Sequence, residues 1–402
     1  MNKSRILQLI LLITFAMFSM NVAADAAVNV QRPPDTDPND SDGDGDPFND
    51  HIYIHVSGGD GFINMADGRL MYMFGFSDIG DVPDDEAIAD GMLAGQLPGP
   101  TIVVREGQKL FLTLTNVGMM VRPDLFDPHT IHWHGFPQAA PIFDGVPNAS
   151  IAINMMSSIT YFYDAVEPGT YIWHCHVEAT EHMEMGMLAN IWVEPKQNFD
   201  EAFETPGVKY VFNDGDGSTA YDVEYPIQIH EFDPDFHDAS FTVQPLPFAA
   251  MDDKYPMLNG RGYPDTVNPA VLWNTAEDVD FGPNLPSQPI SSLITAEQGD
   301  RILLRITSVS TTRYHTLRVL GIPMRVVGRG ARLLRGPTGE DTSYRTGSIN
   351  IGGGEAIDVI LDTEGVAPGT YFLYDTQYNF LSNFREDYGG MMTEIVITAP
   401  PV

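Results

Sequence analysis

VVREGQKLFLTLTN at residues 103–116 returns as TAEQGDRILLRITS at residues 295–308, with Gly107 matching Gly299. After the turn glycine both copies carry an apolar residue at every second position (Leu110, Leu112 and Leu114; Ile302, Leu304 and Ile306), the period-two pattern of a strand rather than a helix. Outward from this pair, HTIHWHGFP (129–137) returns as HTLRVLGIP (315–323), PGTY (168–171) as PGTY (368–371), and GMLANIWV (186–193) as GMMTEIVI (390–397). The order is kept and the offset stays between 186 and 204 residues. Four ordered matches of strand-and-turn character predict an all-β chain built by tandem duplication of a β-sandwich domain. The break falls near Pro195 to Pro206, giving a first domain over 51–197 and a second over 205–402.

Composition agrees with this architecture. Gly 37 and Pro 30 in 402 residues suit a turn-rich β protein better than a helical bundle. Lys+Arg 21 against Asp+Glu 55 gives a net charge of −34, which argues against nucleic acid and anionic membranes as partners and favours cations or neutral molecules. A single cysteine excludes an intrachain disulfide and leaves a buried hydrophobe, a nucleophile or a metal ligand. Lys3 and Arg5 precede the mostly apolar residues 6–18, and Val22-Ala23-Ala24 follow. That is the pattern of a secretory signal over 1–24, too short to span a membrane, so a periplasmic or secreted protein with no membrane anchor in its mature form is expected. Residues 25–50 read as an acidic Asp/Gly/Pro-rich linker. Asp40, Asp42, Asp44 and Gly45 match the first half of a calcium loop, but the twelfth position is His51 instead of a bidentate Glu, so a solvated linker is the expectation.

Six of the eleven histidines and the lone cysteine lie in two clusters of the first copy: His129, His132, His134, and His174, Cys175, His176, His182, followed by Met187. Side chains on a strand alternate between faces. If both strings are extended, His132 and His134 share a face opposite His129, and His174 and His176 share a face opposite Cys175. The parity therefore predicts two sites, one of Cys and His inside the sandwich and one of four imidazoles outside it. One thiolate, two imidazoles and a thioether describe a blue-copper site; zinc also takes Cys and His, but Met is a poor zinc ligand. Four imidazoles suit Cu, Zn or Fe. Cys175 is bonded through the chain to His174 and His176, a short covalent path between the two sites.

HTIHWHG (129–135) and HCHVEATEHMEMGM (174–187) resemble the paired motifs of the multicopper oxidases, particularly their two-domain bacterial group. The resemblance runs from about residue 51 to 400. It implies two cupredoxin-like Greek-key sandwiches and a type 1 copper held by His129, Cys175, His182 and Met187. It also implies that His132, His134, His174 and His176 form the first domain's half of a type 2/type 3 copper cluster. Asp144, in IFDGVP, resembles the acid that relays protons to oxygen near that cluster. By the same resemblance, a reductant delivers electrons at an exposed edge of His182, oxygen accepts them, and the assembly is a homotrimer.

The second copy departs from the motif. Arg318 and Leu320 stand where His132 and His134 do, and Tyr374, Asp375 and Thr376 where His174, Cys175 and His176 do. His315 alone matches, at the position of His129, and is read as a hydrogen-bonded core or interface histidine ahead of a ligand. It also gives a resemblance to copper nitrite reductases, in which one second-domain histidine of the neighbour completes a catalytic copper. The expected function is a secreted copper oxidoreductase; the alternatives are a non-catalytic blue-copper carrier or a nitrite-reductase-like enzyme. Of the remaining histidines, His51 and His55 are expected on a solvated face, and His230 and His237 against carboxylates of HEFDPDFHDA.

Overall fold

The computed structural model describes residues 51–80, 82–83, 85–200, 202–274 and 285–400. The expected signal segment and acidic linker, with its calcium-like half-loop, lie outside the described residues.

Eight strands form the first sandwich: β1 (His51–Asn64), β2 (Leu70–Asp78), β3 (Ile102–Arg105), β4 (Lys109–Gly118), β5 (His132–His134), β6 (Ser157–Asp164), β7 (Gly169–His174) and β8 (Leu188–Glu194). One sheet runs β2-β1-β4-β6 and the facing sheet β3-β8-β7-β5. Parallel pairing of β1 with β4 and of β3 with β8, among otherwise antiparallel neighbours, requires the chain to cross between sheets as in a Greek key. The period-two pattern has its physical reason here. Val56, Leu110, Leu112, Leu114, Trp133, Tyr161 and Trp173 are all at most 1% exposed and fill the space between the sheets. Each such side chain contributes about 1.5–3 kcal/mol through burial.

The second half repeats the plan. Val223–Phe232 runs parallel to Arg301–Ser308, which pairs antiparallel with Ala356–Asp362, as β1, β4 and β6 do. In the facing sheet Ile294–Glu297, Met392–Thr398, Gly369–Asp375 and Tyr314–Val319 are consecutive neighbours, as β3, β8, β7 and β5 are. Even the register repeats: His132 lies opposite His174, and Arg318 opposite Tyr374. Two cupredoxin-like sandwiches are therefore present, as the duplicated strings predict.

The sandwiches share a buried seam. Arg305, 1% exposed, bonds Glu224 at 2.7 Å and Thr170 of β7 at 3.0 Å, and its guanidinium lies 5.0 Å over the Trp192 ring of β8. Asn190 of β8 accepts from Gln228 and Thr307. A mixed apolar cluster including Met73, Ile172, Leu188, Phe232, Met257 and Val309 continues the seam. Among the described residues helices are few and short, the longest being Pro234–Phe241, capped by the Asp233 carboxylate. None is long and apolar enough, among the described residues, to cross a membrane.

Three expectations about outlying histidines need correction or refinement. His55 is not on a solvated face: it is 3% exposed, its Nε2 lies 2.8 Å from the Thr115 hydroxyl, and the short helix Ala87–Gly91 packs over that outer face of β1 and β4. His237 meets the carbonyls of Tyr72 and Glu184 rather than a carboxylate, the Glu184 carboxylate standing 4.0 Å away. His230 faces the backbone of Glu184, Val309 and Met183, also without a bonded carboxylate.

Candidate metal centres

Cys175 follows directly on β7, whose partner β5 carries His132 and His134. His129 precedes β5 and is fixed by a bridge to Ile153. His182 sits on the helix Ala179–Glu184, which folds back so that Cys175 donates its N–H to the Met187 carbonyl and Met187 donates to the His182 carbonyl. This loop brings His129, Cys175 and His182 together, their ligand atoms all within 4.8 Å of one another. Cys175 Sγ lies 3.1 Å from His182 Nδ1 and also accepts the Thr130 N–H at 3.5 Å. All three side chains and Met187 are 0% exposed. Gly58 of β1 lets the facing sheet close on them: a Cβ there would come within 3.3 Å of both the His129 ring and the Met187 methyl.

Two observations test this inner set as a metal site. Both ring nitrogens of His129 are buried with no hydrogen-bond partner, which costs about 1–3 kcal/mol for each polar group left unsatisfied. An ion between His129 and Cys175 would satisfy one of them. Burial alone would push the Cys175 thiol up, yet the facing His182 and His129 imidazoles outweigh it and bring it down to about 5. The sulfur is poised as a thiolate, the ligating form.

The resemblance leads one to expect an exposed edge on His182, and the structure overturns that. His182 is fully buried, and its Nε2 lies 2.9 Å from Oδ1 of Asp127, itself 7% exposed. Burial raises the Asp127 carboxyl, but the bond to His182 more than offsets this and holds it below the usual range. Since Nε2 is engaged by Asp127, Nδ1 is the atom aimed at Cys175. A cavity of about 340 Å³ lined by Arg122, Phe126, Asp127, Glu178 and Glu181 lies over this pair. Sequence alone does not single out Asp127, although its place two residues before His129 is a signal.

The outer histidines meet on the opposite face of the same strands. Donor atoms of His132, His134 and His174 lie within 4.8 Å of one another, and the His176 ring is centred 5.1 Å from that of His132. His132 Nδ1 donates to the Asp144 carbonyl at 2.6 Å, and His174 Nδ1 to the Cys175 carbonyl at 2.7 Å. A carbonyl only accepts, so each ring carries its proton on Nδ1 and offers its Nε2 lone pair. Burial pulls the His174 imidazole down to about 3 and also lowers His132 and His134, keeping the rings neutral and ready to ligate. Asp144 thus acts on His132 first through its backbone; its carboxylate stands 3.7 Å from the same nitrogen. A cavity of about 310 Å³ opens over the four rings, walled on its far side by Ser310, Thr311, Gly353 and Gly354 of the second sandwich. A larger cavity of about 810 Å³, beside Lys196 and Phe203, is lined by none of these histidines.

Among the described residues of the second sandwich, the inner position holds no comparable set. His315 is 0% exposed between Asp375 (2.7 Å from Nδ1) and Glu231 (3.1 Å from Nε2), on opposite edges of its ring. Despite the cost of burial, these two carboxylates raise the imidazole to about 9. It is a core ion triad, in keeping with the reading of His315 as bonded rather than ligating.

Two family models described as "Multicopper oxidase" match residues 84–198 and 257–393. A multicopper oxidase of Talaromyces pinophilus is 33% identical over 111 residues, 27% of this chain and 17% of its own length. An L-ascorbate oxidase of Cucurbita pepo var. melopepo is 33% identical over 119 residues, 28% of this chain and 19% of its own length. The chain thus matches under a fifth of either relative. The fold is similar to a blue copper oxidase from Nitrosomonas europaea, with TM-score 0.62 and 23% identity over 87% of this chain and 86% of that one. Two successive family matches, on a duplicated sandwich whose first copy gathers Cys175 and the paired histidines, lead to one conclusion: the chain belongs to the multicopper oxidase family.

Proposed function

We propose that this chain is a secreted copper oxidoreductase, with domains over 51–197 and 205–402, that passes electrons from a reductant to oxygen through the two histidine centres. His129, Cys175, His182 and Met187 hold the inner ion, and His132, His134, His174 and His176 provide the outer site. Copper, when bound, supplies one-electron redox chemistry at both places. The reading is carried by one observation: Cys175 and its flanking His174 and His176 place the two sets on opposite sides of one strand end, joined by a few covalent bonds.

The chain's own residues define the rest. Asp127 fixes the His182 ring so that Nδ1 faces the thiolate. The cavity over Asp127, Glu178 and Glu181 is acidic and suits a cationic or neutral donor. The Asp144 carbonyl sets the His132 tautomer, and its carboxylate, about a third exposed, stands between solvent and the outer rings as the group that passes protons inward. The β5–β7 pairing excludes water from the path by burying Trp133 and Trp173. A homotrimer outside the cytoplasm completes the reading, and light scattering measures that state.

The carrier reading is favoured by a specific feature: Arg318, Leu320, Tyr374 and Thr376 stand where the motif has second-domain histidines, so the outer site lacks those ligands. One experiment separates the two. Copper-loaded protein is assayed for an intense band near roughly 600 nm, the general expectation for Cu–thiolate, and for oxygen uptake with a phenolic or Cu(I) donor. The band together with uptake supports the oxidoreductase; the band with one copper and no uptake leaves only a carrier.

A further inference from the structure

The outer histidines do not fit a three-metal cluster, and we infer that they hold a single copper ion on His132, His134 and His174 of one chain, so that each chain carries two copper ions. This rests on the copper reading above but departs from the cluster that the motif implies.

The histidine inventory comes first. A three-metal cluster with imidazole ligands draws on eight histidines, and this chain supplies four to that face. Of its eleven histidines, two belong to the inner set, four to the outer set and five lie elsewhere. Three of those five are in the second half: His230, His237 and His315, at 1%, 0% and 0% exposure. His237 is engaged by two carbonyls and His315 by two carboxylates, so neither reaches a surface from which it could enter a neighbour's site. His55 is buried against Thr115, and the His51 ring packs on Phe111 at the start of β1. The positions that would supply ligands by internal symmetry are occupied otherwise: Arg318 lies opposite Tyr374 in the register in which His132 lies opposite His174. A second copy of the chain therefore adds no imidazole from its second sandwich.

Geometry narrows the site further. His132 and His174 have each committed Nδ1 to a carbonyl, leaving one lone pair apiece. His134 turns Nδ1 to 3.3 Å from His174 Nε2, so the donors converge on one point. His176 does not fall within the 4.8 Å group and stands beside it. The second sandwich of the same chain closes the far side with hydroxyls and bare backbone. A Cβ on Gly354 would lie 3.0 Å from His134 Nε2, so the absence of a side chain there leaves the ring its space. The remaining cavity of about 310 Å³ has room for a small acceptor beside one ion.

Two copper ions, when bound, would supply two electrons between them. Two one-electron donors that each lose one electron would then balance the gain of two electrons and two protons by O2 to give H2O2, the O–O bond staying intact. Water would require four electrons.

The test uses copper-loaded full-length protein. Copper is counted by mass spectrometry and unpaired spins by integrated paramagnetic resonance. The expected result is two copper ions and two spins per chain. In His134→Ala it is one of each, with the intense visible band kept. Four copper ions per chain, or more copper than spins, would overturn the inference, because a coupled pair is silent. As a second readout, catalase added after oxygen uptake should return half the oxygen consumed; no return counts against two-electron reduction. Two copper ions and two spins without any oxygen uptake would refute the oxidase reading and still support the single outer ion.

Discussion

Replacing His315 by Gln tests the ion triad that fills the second sandwich where the first has its thiolate site. The imidazole is raised from 6.5 to about 9 because Asp375 and Glu231 flank it in a buried place. At 1.36 kcal/mol per pH unit this difference corresponds to about 3 kcal/mol of stability. The sign follows from which form the fold prefers. The folded chain favours the charged ring, so the contribution is complete below 6.5, shrinks as pH rises toward about 9 and is gone above it. His315→Gln keeps a hydrogen-bond donor but never carries charge, and it leaves two buried carboxylates without a cation, a situation that costs about 3–5 kcal/mol. Urea unfolding of both proteins at pH 6, 8 and 9.5 reads the difference. The deficit of the variant should be largest at pH 6 and should shrink by about 3 kcal/mol by pH 9.5. An equal deficit at all three pH values would refute the charged triad.

Other expectations concern the two centres. Asp127→Asn removes a negative charge beside His182; a carboxylate about 7 Å from an Nδ1-bound ion, at an effective dielectric of about 20, is worth about 2.4 kcal/mol, or ~100 mV for one electron. The inner potential should rise by that order with the visible band kept, as voltammetry would show; an unchanged or lower potential contradicts the role given to Asp127. Gly354→Ala places a methyl 3.0 Å from His134 Nε2 at a φ of +82°, and should weaken outer-site copper at least tenfold while leaving the inner band intact. Titration of metal against the band and the spin signal checks this. Stripping copper with a chelator should lower Tm by roughly 5 °C, since an ion held at a thousand times its Kd stabilises by about 4 kcal/mol; calorimetry showing no change would mean that no ion bridges His129 and Cys175.

What could be read from the chain was what depends on local periodicity. The strings at 103–116 and 295–308 announce the two sandwiches because the strand period is two whatever the partner. The same parity separates His132 and His134 from His129, and Cys175 from its flanking histidines, before any fold is known. What could not be read depends on partners distant in sequence. Asp127 matters because the helix Ala179–Glu184 swings His182 over it, which also buries the ring edge expected to be exposed. The local pattern leaves His55 facing solvent because nothing in it shows that β4 will pair beside β1 and bring Thr115 to its ring. Glu184, 0% exposed and tied to the Asp233 N–H and the Thr311 hydroxyl across the seam, looks from sequence like one more surface acid in a methionine-rich loop. Gly354 carries no signal in its own string; its role appears only when the second sandwich closes on His134.

The most direct measurement is an anomalous difference map from crystals of the copper-loaded protein, collected on both sides of the copper absorption edge. The expected result is one peak against Cys175 Sγ, with His129 and His182 Nδ1 as its other near neighbours, and a separate peak across the strand against His132, His134 and His174. A map with no copper at Cys175, while copper binds elsewhere, would contradict it.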